Sequence, residues 1–182
     1  MRRIEVAELS LTTLDALDVD AMALLVGEER PLQGLPGLVD WRLAGALTRT
    51  ITDGHYAAGP GEALLLPTLG RIPAARVVAV GWSPEPAGAP FAAAIERLCQ
   101  VVTRAGAASF AAAALPVPGV PGVTGAEACR AWLQAAAAVP GHRLVLLGDP
   151  RSLAADLGVA RFEARSEIEV APFSAPPAAM VR

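Results

Sequence analysis

Residues 43–81 read LAGALTRTITDGHYAAGPGEALLLPTLGRIPAARVVAVG, and the punctuation of this stretch decides the fold. Val39, Leu43, Leu47 and Ile51 recur every four residues and predict a helix that starts near Pro36 or Gly37 and buries that stripe. Gly54 stands where a helix end favours a left-handed residue. Beyond the glycines and proline at 59–61, the runs 62–66 and 76–81 are short and aliphatic, as buried strands are. The connection from Leu66 to Arg76 is too short for a helical crossover, so these two strands should pair antiparallel.

Upstream, residues 3–9 (RIEVAEL) alternate apolar and polar side chains and predict a half-buried edge strand. Residues 12–18 read as a connection, and 20–26 (DAMALLV) as a strand buried on both faces. Residues 28–36 read as a polar, proline-containing loop. Downstream, 89–104 predict a helix with Phe91, Ile95, Leu98, Cys99 and Val102 on one face. Residues 109–115 predict a strand and 125–139 a helix, for which Thr124 and Glu127 have capping-box spacing. Residues 143–147 follow as a strand. Asp149-Pro150 then open a short helix to Leu157, with Gly158 as its stop. Either 159–162 or 167–170 supplies the last strand.

Strands alternating with helices predict an α/β fold: three layers, α/β/α, with a mixed, mostly parallel sheet of six or seven strands. Leu24, Leu47, Leu65, Val78, Leu98, Trp132 and Leu146 are its expected core. Trp41 also reads as a core residue. The domain spans 1–171, and 172–182 is a proline-containing tail.

Composition narrows the function classes. The chain has 182 residues, 53% hydrophobic and 18% charged, with a formal net charge of −3. That charge argues against a nucleic-acid surface, which needs a basic patch. No apolar run approaches the length of a membrane span. Cys99 and Cys129 fall on apolar helix faces, as buried free thiols in a reducing cytoplasmic setting would. His55 and His142 stand apart and outside any metal-ligand spacing; His55 reads as a surface turn residue and His142 as the opening of a strand. No Gly-x-Ser-x-Gly is present. Thus no catalytic residue, metal site or cofactor is nominated.

The segments Asp53-Gly54-His55-Tyr56 and Gly59-Pro60-Gly61-Glu62-Ala63-Leu64-Leu65-Leu66 resemble a turn and strand of the amino-terminal domain of the leucyl aminopeptidases. The resemblance covers roughly residues 18–170 and implies a macro-domain-like architecture. The family's chemistry needs two divalent metals, held by carboxylates and a lysine in a separate carboxy-terminal domain. This chain has neither that domain's Asn-Thr-Asp-Ala-Glu-Gly-Arg-like motif nor any lysine. The resemblance therefore implies a non-catalytic domain with a protein-interaction or regulatory role, through self-association or a separately encoded peptidase chain. An amino-terminal fragment of a full metallo-aminopeptidase is a further reading.

The strand-loop-helix unit 109–138 is similar to the unit with which macro domains bind ADP-ribose through a Gly-Val-(Tyr/Phe)-Gly-like loop. That likeness nominates Gly119, Val120, Gly122, Thr124 and Gly125 as nucleotide-binding residues, with backbone N–H groups at a helix start as the anion donors. The plainer reading of 116–125 is a proline-stiffened turn whose glycines serve backbone geometry. A second phosphate loop with an asparagine pair, which macro domains also use, has no counterpart. The position holds Gly27-Glu28-Glu29-Arg30-Pro31, the chain contains no asparagine, and two carboxylates there would repel a diphosphate.

Overall fold

The computed structural model describes residues 3–83, 90–117, 119–139, 141–165 and 167–174. Among the described residues seven strands form one sheet: β1 (Arg3–Glu8), β2 (Ala21–Val26), β3 (Ala63–Pro67), β4 (Arg76–Gly81), β5 (Ser109–Ala113), β6 (Arg143–Gly148) and β7 (Glu169–Pro172). Their spatial order is β3-β4-β2-β5-β6-β1-β7. Only β3 runs antiparallel, pairing with β4 from Ala63↔Val80 to Pro67↔Arg76; the remaining pairs are parallel. The expected three layers and mixed sheet are therefore present.

Side-chain alternation along the strands divides the core in two. Ile4, Val78, Val80, Phe110 and Leu146 face helices α4 (Phe91–Arg104), α5 (Gly125–Ala138) and α6 (Pro150–Ala164). Met22, Leu24, Val77, Val145 and Leu147 face α1 (Leu11–Ala16), α2 (Gly34–Arg42) and α3 (Ala46–Thr52). Leu24, Leu47, Val78, Leu98, Trp132 and Leu146 are all buried as expected, and Trp132 donates its indole N–H to Ala114 O at 3.0 Å. Cys99 and Cys129 are buried free thiols, each pushed up to about 12, chiefly by loss of hydration.

Several expectations are corrected. Leu65 is 55% exposed: Leu64 and Leu66 take the inward face of β3, while α4 lies over β4 and β2 rather than over this outermost strand. Trp41 is 72% exposed, because Leu35 and Val39, four residues apart, set the buried side of α2 and leave Trp41 opposite. The strand at 3–9 is not an edge. β1 lies between β6 and β7, and its polar position, Glu5, is buried against Arg143.

The supposed connection at 12–18 is largely taken up by α1, whose first turn Ser10 caps by accepting from Thr13 N at 3.2 Å. Residues 28–36 are loop only as far as Gln33, where α2 begins. The single helix through Ile51 is two. Ala44 and Gly45 have positive φ, and the Asp40 carboxylate caps α3 by accepting from Leu47 N (2.8 Å) and Thr48 N (3.1 Å). Gly158 does not stop α6, because Leu153, Leu157 and Ala160 keep one buried stripe through it; 159–162 are helical and the last strand is Glu169–Pro172. Pro172 belongs to that strand, Phe173 N donates to Val6 O at 2.9 Å, and residues 175–182 lie outside the described residues.

Candidate functional site

Parallel strands bring their carboxyl ends to one edge of the sheet, and each end opens onto a loop and a helix N-terminus. In such sheets the crevice outside those ends is where ligands bind. Here a groove runs along the ends of β1, β6, β5 and β2. Its wide part is a cavity of about 510 Å³ walled by Glu8, Leu9, Ala114–Val117, Gly119, Leu147–Asp149, Ser152, Leu153 and Asp156. Its narrow part, about 20 Å³, lies among Leu25, Gly27, Glu29, Leu32, Gln33, Pro36 and Trp82. Pro116, Val117 and Gly119 line both parts, so the loop after β5 is the ridge that joins them.

Local backbone chemistry places that ridge. Gly34 opens α2 with φ +56°, and a Cβ there would stand 3.0 Å from the Val117 methyl group. A side chain at position 34 would therefore sit on a strained left-handed backbone and crowd Val117, which favours glycine where α2 starts against the β5 loop. Gly119 has φ +126°, again outside the range of ordinary side-chain-bearing residues.

The five residues nominated from the sequence separate. Gly119 lines the groove. Val120 packs against the core, and Gly122 (φ +73°) is exposed with open space around it. Thr124 is the N-cap of α5 and Gly125 its first residue. The capping box is complete: Glu127 N donates to Thr124 Oγ1 (3.3 Å), and Thr124 N donates to Glu127 Oε2 (2.8 Å). That N–H holds the Glu127 carboxyl below its usual range. A Cβ on Gly125 would run into the Asp156 carboxylate. The positive end of α5 thus already faces two carboxylates of the chain itself. Glu28 and Glu29 lie on the exposed loop after β2, and Arg30 is turned onto that loop, donating to Gly27 O (2.9 Å) and Glu29 O (2.8 Å).

The wide part is acidic. Asp149 caps α6, accepting from Ser152 Oγ (2.7 Å) and Ser152 N (2.8 Å), and the serine hydroxyl is the main reason its carboxyl sits below the usual range. With Glu8 and Asp156 it offers acceptors suited to amino and hydroxyl groups. Among the described residues, no arginine lines either part. Among the described residues no group of three or more His, Cys, Asp and Glu side chains could hold a metal ion. Glu8, Asp156 and Trp82 were not nominated from the sequence. Trp82 could have been, since it follows the strand at 76–81 directly. Glu8 and Asp156 meet only through the strand order, which no local spacing encodes.

No protein-family model matches the sequence, and no curated protein matches it. Solved structures do. A macrodomain of Oceanobacillus iheyensis superposes with a TM-score of 0.66 at 12% identity, over 89% of this chain and 92% of that one. The macrodomain of Mycobacterium tuberculosis DarG does so with a TM-score of 0.61 at 16% identity, over 81% and 99%. The chain folds as a macrodomain. Other structures of the Oceanobacillus macrodomain are described with ADPR and with ADP. A tomato leucine aminopeptidase also matches, with a TM-score of 0.57 at 12% identity, over 88% of this chain but 36% of that one. The aminopeptidase resemblance therefore holds for the macrodomain fold alone, and nothing in these likenesses supports a role tied to a peptidase. No helix among the described residues is long and apolar enough to cross a membrane.

Proposed function

We propose that the chain is a binding module for ADP-ribose or a closely related nucleotide, seated in the groove at the carboxyl ends of β1, β6, β5 and β2. The observation that carries this reading is the groove itself. In a macrodomain fold it offers one wide part, one narrow part and a glycine-containing ridge between them. The nucleoside occupies the wide part, where Glu8, Asp149 and Asp156 accept from its amino and hydroxyl groups. The phosphates cross the ridge at Val117 and Gly119 and use their backbone N–H groups, since no arginine among the described lining residues is there to meet them. The remaining sugar points toward Gly27 and Gln33.

This reading replaces the interaction role implied by the aminopeptidase resemblance and keeps the chain as a binder rather than an enzyme. Titration calorimetry with ADP-ribose tests the reading. A dissociation constant in the micromolar range, about −7 to −8 kcal/mol, is expected. Absence of heat with millimolar ligand overturns it.

A further inference from the structure

Trp82 follows β4 and is 5% exposed, and its ring meets Phe91 edge-on with centroids 5.7 Å apart. Its indole Nε1 is buried and has no hydrogen-bond partner among the described residues. The contrast with Trp132, whose N–H reaches Ala114 O, is direct. An unpaired buried N–H forfeits its hydration without return, so such groups are rare unless something outside the chain completes them.

Trp82 walls the narrow part of the groove, which has room for one water-sized group. The other wall residues there with polar side chains are Glu29 and Gln33, and a carboxylate cannot donate to a phosphate or hydroxyl oxygen. Trp82 also borders a second pocket, of about 140 Å³, lined by Pro60, Gly61, Val80, Ala93, Ala94 and Arg97 among others. None of those side chains is a hydrogen-bond acceptor.

Resting on the function proposed above, we propose that Trp82 is a ligand-binding residue of this groove, its indole N–H donating to one oxygen of the ligand's far end in the narrow part. A groove without a lining arginine needs neutral donors, and an indole N–H supplies one without a counter-charge to desolvate.

The test is a nitrogen–proton correlation spectrum of the whole chain titrated with ADP-ribose. The three tryptophans give three indole signals. Trp41→Phe, on the exposed face of α2, identifies one. Trp82→Phe identifies another and keeps an aromatic ring at that position. If Trp82→Phe does not fold, Trp132 is distinguished by the low solvent exchange of its bonded N–H. Addition of ADP-ribose should move the Trp82 signal and leave those of Trp41 and Trp132 in place. Trp82→Phe should weaken binding about tenfold, measured under conditions where the variant is folded. If ADP-ribose binds wild type but the Trp82 signal stays fixed and Trp82→Phe binds equally well, this inference fails and the proposed function stands. If ADP-ribose does not bind at all, both fall.

Discussion

Glu5 and Arg143, on neighbouring strands β1 and β6, form a forked ion pair: Nε donates to Oε1 at 3.0 Å and Nη2 to Oε2 at 2.9 Å. Both ends of the guanidinium are used, since Nη1 donates to Asp18 O at 2.9 Å, and its Cζ lies 5.8 Å from the centre of the Phe173 ring. One arginine thus joins β6, β1, the approach to β2 and the segment after β7. The side chains are 38% and 11% exposed, so the carboxylate is the buried partner. Arg143→Met should lower stability by about 1–2 kcal/mol, less than a fully buried pair because water reaches the guanidinium. Adding Glu5→Gln should return part of the loss, since the uncompensated charge is then gone. Urea midpoints of the two variants measure both effects.

Asp20 makes a comparable clasp between strands. Its carboxylate accepts from Ala108 N (2.8 Å) and Ser109 N (2.9 Å), while Asp20 N donates to Ser109 Oγ at 2.9 Å. The Ser109 backbone N–H is the main cause of its depressed pKa. A depressed carboxylate contributes stability that is fully present above its unfolded value, 3.8, and that is lost as pH falls through the lower folded value. Asp20→Asn should therefore be less stable than wild type near neutrality, and the gap should close as the solution is acidified below 3.8. A gap that stays constant down the acid limb would contradict this account.

Tyr56 is 1% exposed, and its hydroxyl has no partner among the described residues. Burial, with Glu62 adding to it, pushes the phenol well above its usual range. Tyr56→Phe should leave stability unchanged or raise it by about 1 kcal/mol, because it removes an unmet desolvation cost and no bond. As the chain has a single tyrosine, absorbance reports it alone. Phenolate should appear only together with alkaline unfolding, as followed by circular dichroism.

Thr124 caps α5 beside the groove. Thr124→Ala should cost about 1 kcal/mol through loss of the bond from Glu127 N. If α5's start is only a structural support, that variant's affinity for ADP-ribose should match wild type once both are folded. Guanidinium midpoints and calorimetry separate the two effects.

Much of the fold was legible because its signals are local. The aliphatic runs at 20–26, 76–81 and 143–147, and the capping residues Thr124 and Asp149, announce their elements within a few neighbours. What was not legible depends on partners far along the chain. Glu5 makes β1 read as half-exposed until Arg143, 138 positions away, is known to meet it. The break at Ala44–Gly45 is hidden inside an unbroken four-residue repeat, because Asp40 supplies the cap that a new helix needs from before the break. In the groove, the loop after β5 could be found by its glycines. Glu8, Asp156 and Trp82 lie on three separate elements, and only the order of the strands assembles them.

The interior place of β1 carries a consequence for how the protein is made. β1 is translated first, yet both strands that flank it, β6 and β7, are translated last. On the ribosome this segment must wait, with Ile4, Val6 and Ala7 bare, until nearly the whole domain has emerged, and closing so long a loop is slow. Until then the nascent sheet β3-β4-β2-β5 has an open seam at β5, and the waiting strand is the piece that chaperones or misassembly would meet.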